Sequence, residues 1–226
     1  MLDALPADIR RSTTGLLERV RVSVRQTIYE PGDTVGSVYL PIDAVISVVT
    51  VMRSGRQIEA FSVGREGMTG VHALFDGGIA SQLTVVQVSG EAYRLTASAF
   101  LETCDRFPAF RELAERYLSA QMDAMAQSIA CNRLHVVTER CARWLLTTHD
   151  RVGRWEFPMT HEALAAVLGV RRAGVSVSAA ALQSARYINY VRGRFSIADR
   201  SGLETASCEC YDVITAAFEK RRLLSA

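Results

Sequence analysis

The sequence has no run of about 18 uncharged apolar residues, which a membrane-spanning helix would need. Its first residues, MLDALPADIRRS, carry an acid at Asp3 and no apolar core segment, so no secretory signal is expected. Both absences point to a cytoplasmic protein with no membrane partner. Catalytic signatures are missing as well. There is no G-x-S-x-G, H-E-x-x-H or phosphate-binding glycine loop, and the four histidines (72, 135, 149, 161) are scattered without local acid–base partners. An enzyme is not expected. Cysteine is sparse, with five in 226 residues (104, 131, 141, 208, 210). An odd, uneven set reads as reduced, mostly buried thiols. Cys208-Glu209-Cys210 is C-x-C rather than C-x-x-C. Inside a helix, residues two apart point about 200° apart, so no shared metal is expected from this pair. Cys210 reads as core and Cys208 as more exposed. No metal and no cofactor are expected.

What the chain has is an ordinary globular composition, 49% apolar and 22% charged. Its net charge of +2 hides an asymmetry. Residues 1–150 carry 15 Arg against 17 Asp and Glu, net −2, whereas residues 151–226 carry 11 Lys and Arg against 7 acids, net +4. A basic second half suits a polyanion partner.

The basic half has a definite pattern. Thr160 is an N-cap, and Ala163, Leu164, Val167 and Leu168 recur at helical spacing. Glu162 supports the helix start, and Gly169 ends the helix in a left-handed turn. A second helix follows with Val175, Ala179 and Leu182 on one face. Arg172, Ala173, Ser176, Val177 and Ala180 lie on the other. Two short helices across a glycine turn describe a helix-turn-helix. Tyr187–Tyr190 and Phe195–Ile197 then flank Arg192-Gly193-Arg194, a hairpin that reads as a wing.

Before this module the periodicity changes twice. Residues 1–22 read as one short helix broken near Gly15. From Val22 to Leu95, short strands alternate with glycine turns, as in a sandwich or small barrel. From Pro108 the pattern is helical. Leu118, Met122, Met125 and Ile129 are spaced 4, 3, 4, a heptad seam suited to a second copy of the chain. Phe110, Ala114, Tyr117, Gln121 and Met125 form a second stripe. Cys131 lies beside the seam, which leaves an intersubunit disulfide under oxidation open. The helix should break near Asn132-Arg133, and His135–His149 should be helical. Trp155 and Phe157 should be extended, and Asp199 should cap one terminal helix running through Phe218.

This order of parts resembles the Crp/Fnr family of bacterial transcription regulators. The resemblance covers nearly the whole chain. It is carried by Tyr29–Asp33 (YEPGD), Gly64–Gly70 (GREGMTG), Asn132–Leu146 (NRLHVVTERCARWLL) and Thr160–Gly202. It implies an α+β fold with a jelly-roll-like, cyclic-nucleotide-binding-like β-barrel over 1–108. A long dimerisation helix would span 109–134 and a winged helix-turn-helix 135–226. It also implies a homodimer reading a two-fold symmetric operator in double-stranded DNA, with RNA polymerase a partner if the protein activates. The second helix would present Arg172, Ala173 and Val177 to base edges. Thr160, His161, Arg171, Ser176, Arg192 and Arg194 would contact the DNA backbone. At the positions of Ala173 and Val177 the family commonly has Glu and Arg, so a different operator is expected.

Two departures concern the effector. Cyclic-nucleotide binders of the family have a Gly-Glu pair and, about ten residues on, an Arg beside a small polar residue. Here Gly70 is followed by Val71, the later segment is Ile79-Ala80-Ser81-Gln82, and no Lys or Arg occurs between Arg65 and Arg94. A buried cyclic phosphate would lack counter-charge, so no cyclic nucleotide is expected. The first cysteine is Cys104, so the N-terminal cysteine cluster of iron–sulfur members is absent. A lone His72 reads as a barrel or surface residue rather than a haem ligand. Two other readings stay open: a ligand-sensing module acting through protein contacts without reading DNA, and a constitutive regulator with a filled barrel.

Overall fold

The computed structural model describes residues 1–75, 78–221 and 223. A 3₁₀ turn, Leu2–Ala4, precedes helix α1, Ala7–Thr14. The helix ends at Gly15, where the sequence places a break, and strand β1, Glu18–Val22, begins earlier than the sequence suggested. Tertiary pairing decides this. β1 lies antiparallel to β7, Gly90–Thr96, with Glu18 opposite Arg94 and their side chains ion-paired at 2.5 Å.

Seven strands make two antiparallel sheets, in the order β1-β7-β3 and β2-β6-β4-β5. The remaining strands are β2, Thr27–Tyr29, β3, Ser37–Pro41, β4, Val45–Val51, β5, Gln57–Val63, and β6, Leu83–Val88. In β6 alternate residues are buried, so one face packs inward, as a period of two requires. This is the jelly-roll-like domain expected.

Helix α2, Ala97–Arg106, was not anticipated. It follows β7 with no Gly or Pro between. Thr96 caps it by accepting from the Ala99 N–H at 3.2 Å, and Phe100, Thr103 and Cys104 form its buried face. Helix α3, Pro108–Leu134, starts with proline in its first turn, where no N–H is needed. It buries Phe110, Leu113, Ala114, Tyr117, Ala120, Gln121 and Ala124. His135 and Val136 are extended, two residues later than the break expected, and α4 runs Val137–Val152.

The second domain comprises α4, β8 (Glu156–Pro158), α5 (His161–Leu168), α6 (Arg172–Ser184), β9 (Ile188–Val191), β10 (Arg194–Ile197) and α7 (Arg200–Thr205). Its core includes Trp144, Leu145, Phe157, Leu164, Val175, Leu182, Phe195 and Leu203. A buried ion pair joins it to the barrel. Arg151 of α4 contacts Glu66 at 2.6 Å and donates to Ser62 Oγ at 2.7 Å.

The single terminal helix expected after Asp199 is two helices, α7 and α8, the latter spanning Cys210–Glu219. They serve different cores, which one straight helix could not reach. Leu203 packs with the second domain, whereas Ile214 and Phe218 pack with Tyr117 and the barrel. The break also overturns the geometry expected of Cys208-Glu209-Cys210. Cys208 lies outside both helices and is buried rather than exposed. Together with Cys210 it meets Cys131 in a small core of its own. Cys131 is fully buried beside Cys208 of the same chain, which removes the intersubunit disulfide.

Candidate nucleic-acid interface

Helix α5 starts where the sequence says it should. Thr160 is extended, and its hydroxyl accepts from the Ala163 N–H at 3.1 Å. Gly169 ends the helix at φ +66°, ψ 33°, a left-handed conformation that a Cβ would strain. A Cβ there would also stand 2.6 Å from Ile58 Cδ1 of β5, so the turn packs closely on the barrel. The chain bends by 109° between α5 and α6, within the range of a helix-turn-helix.

Burial fixes which face of α6 looks outward. Val175, Ala179 and Leu182 are at most 3% exposed. Ser178 is buried too and is bonded to Thr138 of α4 at 3.0 Å, which pins the rotation of α6. Arg171, Arg172, Ala173 and Val177 are exposed, Val177 at 70%. Among the described residues neither Arg171 nor Arg172 has an ion-pair partner. The face is therefore cationic at its N-terminal end, with small apolar side chains behind.

His161 and Ser176 are half-buried and have a structural role as well. They bond to one another, Nδ1 to Oγ at 3.0 Å, tying α5 to α6. The imidazole also stacks on Tyr190 of β9 with centroids 4.0 Å apart. Burial and the nearby Arg172 charge hold His161 below the usual histidine range. The pair cements the module internally.

The wing is a two-residue hairpin. Arg192 and Gly193 both have positive φ, +48° and +79°, the turn whose twist matches the flanking strands. Arg192 stands exposed at the tip. Arg194, expected there with it, lies on β10 and is ion-paired to Glu156 of β8. Sequence reading missed a second set of arginines that brace the module. Arg200 bonds Asp150 at 2.6 Å and the Tyr211 hydroxyl at 2.7 Å, and Arg140 donates to the Leu168 carbonyl. No local pattern marks these partners, which lie 50, 11 and 28 positions away.

On α3, Met122 and Ile129 are exposed at 71% and 72%, and Leu118 and Met125 are half-buried. Leu134, the last residue of α3, and Val136 in the extended link beyond it are also exposed, but neither extends the helical heptad stripe. In the barrel, Gly70 is left-handed at φ +81°. A Cβ there would meet Tyr29 Oη at 2.5 Å and the Ser37 carbonyl at 2.9 Å. The following Val71 is buried, and Ala80 packs with Tyr29 and Val35. Burial lowers the His72 pKa, favouring the neutral ring. No single helix among the described residues is long and apolar enough to cross a membrane.

A sandwich of two antiparallel sheets, a long helix and a winged helix-turn-helix define a two-domain regulator with a DNA-binding module. The comparisons agree. Residues 19–107 match the cyclic nucleotide-binding domain family, and residues 139–206 match the Crp-like helix-turn-helix domain family. The chain is accordingly a Crp/Fnr-type transcriptional regulator with a helix-turn-helix DNA-binding domain.

Solved structures share the fold. A CRP-family transcriptional regulator from Thermus thermophilus is 23% identical, with a TM-score of 0.68, over 83% of this chain and 96% of its own. FixK2 from Bradyrhizobium japonicum is 13% identical, with a TM-score of 0.69, over 85% and 98%. The c-di-GMP-responsive global regulator CLP of Xanthomonas campestris is 15% identical, with a TM-score of 0.66, over 85% and 99%. No curated protein matches by sequence.

Proposed function

We propose that the protein works as a homodimer, joined along α3, that reads a two-fold symmetric operator with α6 of each subunit. Residues 1–108 form the sensor barrel, 109–134 the dimer helix and 135–226 the DNA-binding domain. The observation that carries this is the outer face of α6, where Arg171 and Arg172 stand exposed ahead of Ala173 and Val177. Arg172 is the base reader. A bidentate Arg–guanine contact supplies about 1–3 kcal/mol of discrimination. Ala173 and Val177 suit thymine methyl groups. Arg171, Arg192 and Thr160 hold the phosphates, joined by the half-buried His161 and Ser176 and by the ion-paired Arg194. Such contacts set register without reading sequence. RNA polymerase is the further partner if the protein activates.

The barrel in this reading does not take a cyclic nucleotide. The segment that would hold ribose and phosphate offers Val71 and Ala80, both buried, and no cation. Calorimetry with cyclic AMP and cyclic GMP should show no heat of binding, and saturable binding of either would refute this part.

Mobility shift across a salt series tests the whole. A DNA binder weakens steeply with salt because condensed counterions are released. A module acting only through protein contacts would leave the DNA unshifted at every salt concentration.

A further inference from the structure

Four side chains converge at the joint between the two domains. Cys131 lies in the last turn of α3, and His135 is the first residue beyond that helix, one turn further along the same face. Cys208 comes from the link between α7 and α8, and Cys210 opens α8. Cys131 Sγ and Cys208 Sγ are 3.5 Å apart, as are Cys210 Sγ and His135 Nδ1. All four donor atoms lie within 4.8 Å of one another. The three cysteines are at most 5% exposed.

We propose that Cys131, His135, Cys208 and Cys210 form a zinc site. Zinc binds thiolate sulfur at about 2.3 Å and imidazole nitrogen at about 2.0–2.1 Å in a tetrahedron, which sets ligand atoms roughly 3.5–3.8 Å apart. The observed spacings need little adjustment to enclose one ion. A polynuclear iron–sulfur cluster interposes iron and sulfide between its thiolates and would need them further apart. Hard cations are disfavoured because the set contains no oxygen ligand. Sulfurs 3.5 Å apart are also well beyond the roughly 2.05 Å of a disulfide, so the thiols are free to ligate.

The surroundings suit the charge. Zn²⁺ with three thiolates carries one net negative charge, and Arg140 and Arg143 both act electrostatically on the cysteines. Gln127, one turn before Cys131, donates its amide N–H to Cys210 Sγ at 3.1 Å, a bond of the kind that orients a ligand. Binding of zinc displaces the thiol protons to solvent, and His135 ligates through Nδ1. No oxidation is involved. The ion would clamp the end of α3 to the α7–α8 link, across the extended residues His135 and Val136 where α3 hands over to α4. The site does not depend on how the protein reads DNA.

The test uses the full chain purified under reducing conditions. Elemental analysis should find one zinc per chain. After exchange, Co²⁺ should give the intense visible bands of a tetrahedral, thiolate-bound ion. Cys208→Ser and Cys210→Ser should lose most of the metal, while Cys104→Ser and Cys141→Ser should keep it. The wild-type cobalt spectrum stands even if the ligand variants fold poorly. A folded, reduced wild-type chain that holds no zinc and gives no tetrahedral cobalt spectrum overturns the proposal. So does zinc content unchanged in Cys208→Ser.

Discussion

The outer faces of α6 and α3 are both exposed and both carry apolar residues, but they differ in charge and in spacing. On α6, Val177 is an isolated apolar side chain at 70% exposure behind two arginines free of ion pairs among the described residues. On α3, Met122 and Ile129 belong to a run at heptad spacing with the half-buried Leu118 and Met125. One exposed valine is ordinary for a soluble surface. A repeated stripe at heptad spacing is not, because each exposed side chain forgoes about 1.5–3 kcal/mol of burial. What separates the faces is thus periodicity and charge, not exposure. In the proposed function the α6 face offers cations to a polyanion, and the α3 face offers an apolar seam to a second copy.

Substitutions can separate the two faces. The largest effect should come from the seam. Met122→Glu with Ile129→Glu places four like charges across a symmetric interface. Sedimentation should show monomer in place of dimer. Specific DNA binding should fall by about 1000-fold or more, towards the non-specific level. A double variant that stays dimeric would move the interface elsewhere. Next comes Arg172→Ala, which should cost about 1–3 kcal/mol on the preferred site and relax specificity at one base step, while binding to random DNA hardly changes. Equal losses on both DNAs would demote Arg172 to a backbone contact.

Smaller effects test the scaffold and the wing. Thr160→Ala removes the α5 cap and should lower stability by about 1 kcal/mol in denaturant titration, with dimerisation untouched. No change would mean that water or a neighbour replaces the hydroxyl. Arg192→Ala should weaken all sequences alike and reduce the salt slope by about 1. A sequence-dependent loss would make the wing a reader of bases.

The same contrast explains what could be read in advance. The helix-turn-helix was legible because its determinants are local. The Thr160 cap, the left-handed Gly169 and the spacing of Val175, Ala179 and Leu182 all fall within two dozen residues. The strands were legible one by one, but the start of β1 at Glu18 was not, because its partner Arg94 is 76 residues away. Helix α2 was missed because no Gly or Pro separates it from β7. The cysteine site was hidden for two reasons. Its halves lie 77 residues apart, and the break between α7 and α8 that turns Cys208 inward is set by packing against two different cores. Arg151 and Glu66 were invisible in the same way, an ion pair between a barrel turn and a helix of the next domain.

The most direct test of the central claim works without a known operator. Duplexes bound by the full chain are selected from random DNA and sequenced. Two outward α6 helices on a symmetric dimer predict an enriched inverted repeat, with half-sites one helical turn apart, about 10–10.5 base pairs centre to centre, and a guanine step lost in the Arg172→Ala selection. Enrichment of a single asymmetric half-site, or of no sequence at all, would contradict the account.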